Sequence, residues 1–242
     1  LHTHGLHVAP SEDDPFIMVA PGDQHTYTYT IPKDQQAGTY WYHPHAHGIT
    51  AQQVAAGLSG AIIVEGADDQ RLDEVSTDQV LVLNDPPLTQ ANPRGGESAP
   101  SDGPVAMGDM SGMGDHSGMS GMSGMDGSGV DMMTVMMGRT GPRILTNGQD
   151  GVVLEGSGGV LERAHIVNAT ASTRLVFAFD GAEMLRLSAS GGRLSKAEPA
   201  ARIELGPGER TEVVLVPGAQ GGTLTAQRMS NEGRGDAVGL PE

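Results

Sequence analysis

Nine histidines occur among the 242 residues, and several stand in pairs whose spacing suits a shared ligand. His2-Thr3-His4 and His43-Pro44-His45 each set two imidazoles two residues apart. In extended backbone, residues i and i+2 project from one face about 6.5 Å apart, so each pair can aim two ring nitrogens at one metal site. Neutral imidazole suits copper, zinc, iron and nickel alike, and ligand type alone leaves the ion open. The two units lie 39 to 41 residues apart, the second inside an aromatic run, Tyr40-Trp41-Tyr42. Chance is a poor account of that coincidence. His47 follows His45 at the same interval, so a zinc site built from His43, His45 and His47 is an alternative, although it leaves His2 and His4 without a role. His7, His25 and His165 stand alone and read as surface or satisfied core residues.

Positioning such pairs requires strands, and alternation is the commonest local pattern. Tyr27-Thr-Tyr29-Thr30, Gly60 to Glu65, Gln79 to Leu83, Arg174 to Phe179 and Thr211 to Val216 are short and rich in β-branched or aromatic residues. Pro21-Gly22, Asn147-Gly148, Asp180-Gly181 and Pro207-Gly208 supply turns around them. Helical periodicity is confined to a short stretch near Gln52 to Ala56. The expectation is an all-β protein of sandwich type. Six of the eight aromatics lie in the first 42 residues, with only Phe177 and Phe179 later, so the first segment must pack differently from the rest.

Residues 91–139 break the pattern with a run of Gly, Ser, Asp and Met that cannot repay its ordering entropy through a packed core. The run reads as a long flexible insertion. Within it Met107, Met110, Met113, His116, Met119, Met122 and Met125 recur every three residues, and Met132, Met133, Met136 and Met137 follow. Methionine normally fills cores beside apolar neighbours. Here the neighbours are small and polar, so the repeated thioethers are candidate ligands for Cu(I), a soft ion that prefers sulfur.

Composition narrows the remaining classes. With 14 basic and 30 acidic side chains, the net charge of −16 offers no cationic patch for phosphate backbones or anionic lipid, so nucleic-acid and membrane-surface roles are not expected. No apolar stretch approaches the roughly 20 residues needed to span a bilayer. The absence of Cys excludes disulfides and thiolate-ligated metals within these residues. No G-x-S-x-G elbow or phosphate-cradling glycine loop supports a hydrolase or nucleotide reading.

Gly38-Thr-Tyr-Trp-Tyr-His43-Pro-His45-Ala-His-Gly48, with Gln53 to Val64 after it, resembles the second copper motif of the multicopper oxidases. His2-Thr-His4-Gly5-Leu6-His7 resembles the first, with Thr3 where many members carry Trp. Thr146 to Gln149, Ile166 to Ala169 and Pro207 to Val214 are similar to the middle domain of three-domain members. The resemblance implies cupredoxin-like Greek-key β-sandwich domains. It places a partial first domain at 1–68, a linker at 69–77 and a second domain at 78–242, interrupted by the insertion.

It further implies an oxidase that takes electrons from Cu(I) or a small phenolic reductant and reduces dioxygen to water at a trinuclear copper cluster. His2 would bind the type 2 copper, His4 and His43 one type 3 copper, and His45 the other, with His47 outside the ligand set. Members draw the remaining cluster histidines and a type 1 copper site with its Cys from a later C-terminal domain. These 242 residues hold neither, so a fragment cut at both ends, inactive alone and completed by that domain, is expected. An extracytoplasmic location, periplasmic or secreted, also follows from the family. A non-catalytic copper-sequestering protein and a two-domain laccase are the alternatives. Imidazole must be neutral to ligate, so metal binding is expected to weaken below about pH 6.

Overall fold

The computed structural model describes residues 1–66, 75–86, 141, 143–150 and 154–229. The methionine run with His116 lies outside the described residues. Almost every described element is a strand, and the single helix is α1, Thr50–Ala55, where the short helical stretch is expected. Among the described residues no helix is long and apolar enough to cross a membrane.

The first 64 residues contribute one three-stranded sheet. In it β2 (Gly38–His43) lies between β1 (His2–His4) and β3 (Gly60–Val64), antiparallel to both. Long unpaired connections join them. Tyr27 to Thr30, expected as a strand, is not one. The Tyr27 and Tyr29 rings stack 6.2 Å apart, as i and i+2 side chains on one face should. No neighbouring strand offers its backbone, however. Glu12 instead accepts the Thr30 amide at 2.9 Å and its hydroxyl at 2.7 Å.

The remaining strands form a sandwich. One sheet has the order β11-β10-β13-β8-β4-β5-β6, and the other β12-β9-β14-β7. At its centre lie β4 (Val75–Asn84), β8 (Leu161–Asn168) and β13 (Arg210–Val216). β8 runs parallel to β4 and antiparallel to β13. Beyond β13 come β10 (Glu183–Ala189) and β11 (Gly192–Pro199). The short hairpin β5 (Leu145–Thr146) and β6 (Gln149–Asp150) closes the other edge. Its two-residue turn needs positive φ twice, and Asn147 (φ 50°) with Gly148 (φ 79°) provides it. The opposing sheet comprises β7 (Leu154–Gly156), β9 (Leu175–Phe179), β12 (Arg202–Leu205) and β14 (Gly222–Arg228).

Period 2 explains why β8 and β13 are buried on both faces. Ala164, Ile166, Val213 and Leu215 point into the sandwich, against Leu175, Phe177, Leu205 and Leu224. The alternate residues point toward the first sheet. Val167 joins Trp41 and Val54 in a second, smaller apolar cluster. Arg163, His165, Arg210 and Glu212 make the rest of that buried face polar.

Each of these polar groups is partnered. Arg163 Nε donates to Glu212 Oε1 at 2.5 Å, and Arg193 reaches the same oxygen at 3.0 Å. His165 Nδ1 lies 2.7 Å from Thr39 Oγ1 on β2, with Asp78 3.0 Å from Nε2. His165 is thus a satisfied buried histidine, as its isolation in sequence suggests.

Candidate metal centre

The pairing of β1 with β2 sets His2 opposite His43, Thr3 opposite Tyr42 and His4 opposite Trp41. Because the pleat has period 2, His2, His4, Trp41 and His43 share one face. The ring of His2 lies 5.5 Å from His4, 5.2 Å from His43 and 5.5 Å from His45, centroid to centroid. His4 and His43 are 5.8 Å apart, and His43 and His45 are 6.1 Å apart. One nitrogen from each of His2, His4 and His43 falls within 4.8 Å of the others. Trp41 floors the site, stacked 5.2 Å from His4 and tilted 4.4 Å from His43.

His47 stands apart from this cluster. Its ring is exposed, 5.8 Å from His45, and stacks nearly parallel on Phe16 at 5.9 Å. The zinc alternative would need it as a ligand beside His43 and His45. The tight group of donors instead takes in His2 and His4.

Hydrogen bonds decide which nitrogens are free to bind a metal. Asp13, which belongs to no motif in the sequence, places Oδ2 2.7 Å from His2 Nδ1. Its Oδ1 accepts the Thr3 amide at 3.0 Å. A carboxylate acceptor calls for a proton on Nδ1 and leaves the Nε2 lone pair free. The Pro44 carbonyl, 2.8 Å from His43 Nδ1, does the same for that ring. The Nδ1 atoms of His4 and His45 are buried without a hydrogen-bond partner. Such orphaned nitrogens are costly unless something ligates them.

Charge state agrees with ligation. Burial, then the Arg210 cation, then His2 and His43 lower the His4 pKa to about 4. Burial also lowers that of His43, against the opposing hydrogen bond to Pro44. His4 therefore stays neutral to about pH 4, and His43 also gives up its proton more readily than an ordinary imidazole, so protons compete less with a metal at these two positions. Several converging neutral imidazoles form a donor set that fits copper, and also zinc. The second sheet system contributes too: a methyl on Gly208 would sit 3.2 Å from His4 Cε1 and 3.5 Å from Trp41 Cζ2. The turn before β13 therefore presses on the site from behind.

Asp13 left little trace in the sequence. An acid among 30, it became recognisable only when the chain folded it onto His2.

Residues 1–69 match the family model described as multicopper oxidase. Among solved structures, a bacterial laccase-like multicopper oxidase, CueO from Ochrobactrum sp., superposes with a TM-score of 0.68 at 24% identity, covering 98% of this chain and 46% of that one. A multicopper oxidase from Campylobacter jejuni, described as a metallo-oxidase, gives 0.62 at 24%, covering 100% and 43%. A laccase from Pediococcus acidilactici gives 0.61 at 25%, covering 89% and 40%. The chain thus spans less than half the length of each of these. Its strands have the cupredoxin-like arrangement of those structures. The chain is thus similar to multicopper oxidases over residues 1–69 and shares its fold with part of the solved multicopper oxidase structures.

Proposed function

We propose that this chain supplies half of the oxygen-reducing copper cluster of a multicopper oxidase whose reductant is Cu(I) or a small phenol. The observation that carries the reading is the convergence of His2, His4, His43 and His45, with Nδ1 occupied on two rings and orphaned in burial on the other two. In this reading His2 holds the type 2 copper, His4 and His43 one type 3 copper, and His45 the other. Copper bound there would supply reversible one-electron chemistry, of which dioxygen needs four equivalents to become two waters.

The chain's own residues do the holding. Asp13 fixes the His2 ring and keeps its proton on Nδ1. The Pro44 carbonyl does so for His43, and Trp41 closes the floor against solvent. The division into 1–68, a linker at 69–77 and 78–242 follows the same reading, as does a later domain that supplies the remaining ligands and the type 1 site. Met107, Met110, Met113, His116, Met119, Met122 and Met125 would gather cuprous ion as substrate. Copper chemistry of this kind belongs outside the cytoplasm, in the periplasm or the medium.

The test is metal loading of the full-length protein with copper and zinc in competition, followed by dioxygen uptake. Retained copper in the native protein, with copper and uptake both lost in His43→Ala, supports the oxidase. Copper retained without any uptake favours sequestration instead. Preference for zinc would overturn both.

A further inference from the structure

Arg210 opens β13 and is almost fully buried, 3% exposed, between the two sheet systems. Its guanidinium ties three segments together. Nε donates to the Thr39 carbonyl on β2 at 3.1 Å, Nη1 to the Gly208 carbonyl at 3.2 Å, and Nη2 to the Ser190 carbonyl at 2.8 Å. The Tyr40 ring lies 5.6 Å beneath it. Gly5, directly after His4, leaves room for the head group, since a methyl on Gly5 would overlap Nη2.

Every hydrogen-bond acceptor of this side chain is a neutral carbonyl, and among the described residues no carboxylate pairs with it. Glu209 attracts it only at longer range. A buried cation with no counter-ion is costly, so its placement calls for an explanation. Its neighbours supply one. The strand that it grips carries His43, and the Gly208 turn that it grips presses on His4 and Trp41. Its head group lies against Gly5, the residue next to His4.

We propose that Arg210 is a positioning residue of the copper site: it locks the second sheet system against His4, and its uncompensated charge favours the cuprous over the cupric form of copper held there. A fixed positive charge repels a dication about twice as strongly as a monocation, so its removal must raise cupric affinity more than cuprous. The inference rests on the histidine cluster being a copper site.

The experiment measures cuprous and cupric affinities of the metal-free full chain by chelator competition. The variants are Arg210→Gln and Arg210→Lys, with His4→Ala as control. Arg210→Gln should raise the ratio of cupric to cuprous affinity about tenfold, which is about 59 mV in a one-electron couple. Arg210→Lys keeps the charge but cannot reach all three carbonyls. It should weaken cupric binding while holding the ratio within about twofold of native. Equal losses for both ions in Arg210→Gln, or a shifted ratio in Arg210→Lys, would overturn the electrostatic role. If Arg210→Gln does not fold, Arg210→Met is the second neutral variant: the same rise in the ratio is expected, and an unchanged ratio would overturn the electrostatic role. Native cupric binding in His4→Ala would instead overturn the copper-site reading itself, and the inference with it.

Discussion

At His2 the nitrogen left free is chosen by Asp13, which lies 11 residues away and grips both the ring and the Thr3 amide. Replacing the carboxylate with an amide keeps the shape but removes the charge that holds Nδ1 protonated. Asp13→Asn is expected to weaken copper binding about 10- to 100-fold in chelator competition, with far-UV circular dichroism unchanged.

His4 makes a second prediction, for the metal-free chain. Its folded pKa of about 4 lies below the 6.5 of an ordinary histidine. As pH falls through that interval the unfolded chain takes up the proton first. The contribution of His4 to stability is therefore fully present above about pH 6.5 and lost progressively down to about pH 4. Urea midpoints followed across this range should fall more steeply for the native chain than for His4→Gln.

Among the elements, β8 and β13 carry the most demanding burial. Glu212 is fully buried and answers both Arg163 and Arg193. Neutralising it leaves two guanidiniums beneath β2 without their shared carboxylate. Glu212→Gln should cost about 3 to 5 kcal/mol, read by denaturant unfolding. Against the opposite face of that sheet, Phe177 of β9 fills the sandwich core with no exposed surface. Phe177→Ala should cost a similar amount, about 3 to 5 kcal/mol, through the cavity that it leaves. The two substitutions probe different faces. Only the first should also disturb copper binding, because only that face touches the strand bearing His43.

For the whole molecule, the proposed division of labour separates two activities. Deleting residues 107–137 from the full-length protein should lower the rate of cuprous oxidation more than that of phenol oxidation. The residues removed offer thioethers to a soft ion and nothing particular to a phenol. Equal losses, measured as dioxygen uptake with each reductant, would count against a role for the methionines. The 242 residues alone should bind copper at the histidines but consume no dioxygen, since they hold no Cys for a type 1 site.

Local spacing along the chain was enough to announce strands, the short helix and two histidine pairs. Period 2 is a property of a single strand, so H-x-H places both rings on one face whatever the strand pairs with. Gly60 to Glu65 and Thr211 to Val216 were legible on the same ground, whereas Tyr27 to Thr30 alternates yet found no partner, because pairing depends on a second strand. The register of His2 against His43, the approach of Asp13 and the intrusion of Arg210 joined segments far apart in the chain. No local pattern encodes such contacts. They exist only once burial of the apolar faces has forced the two sheet systems together, and that packing turned two histidine pairs into one site.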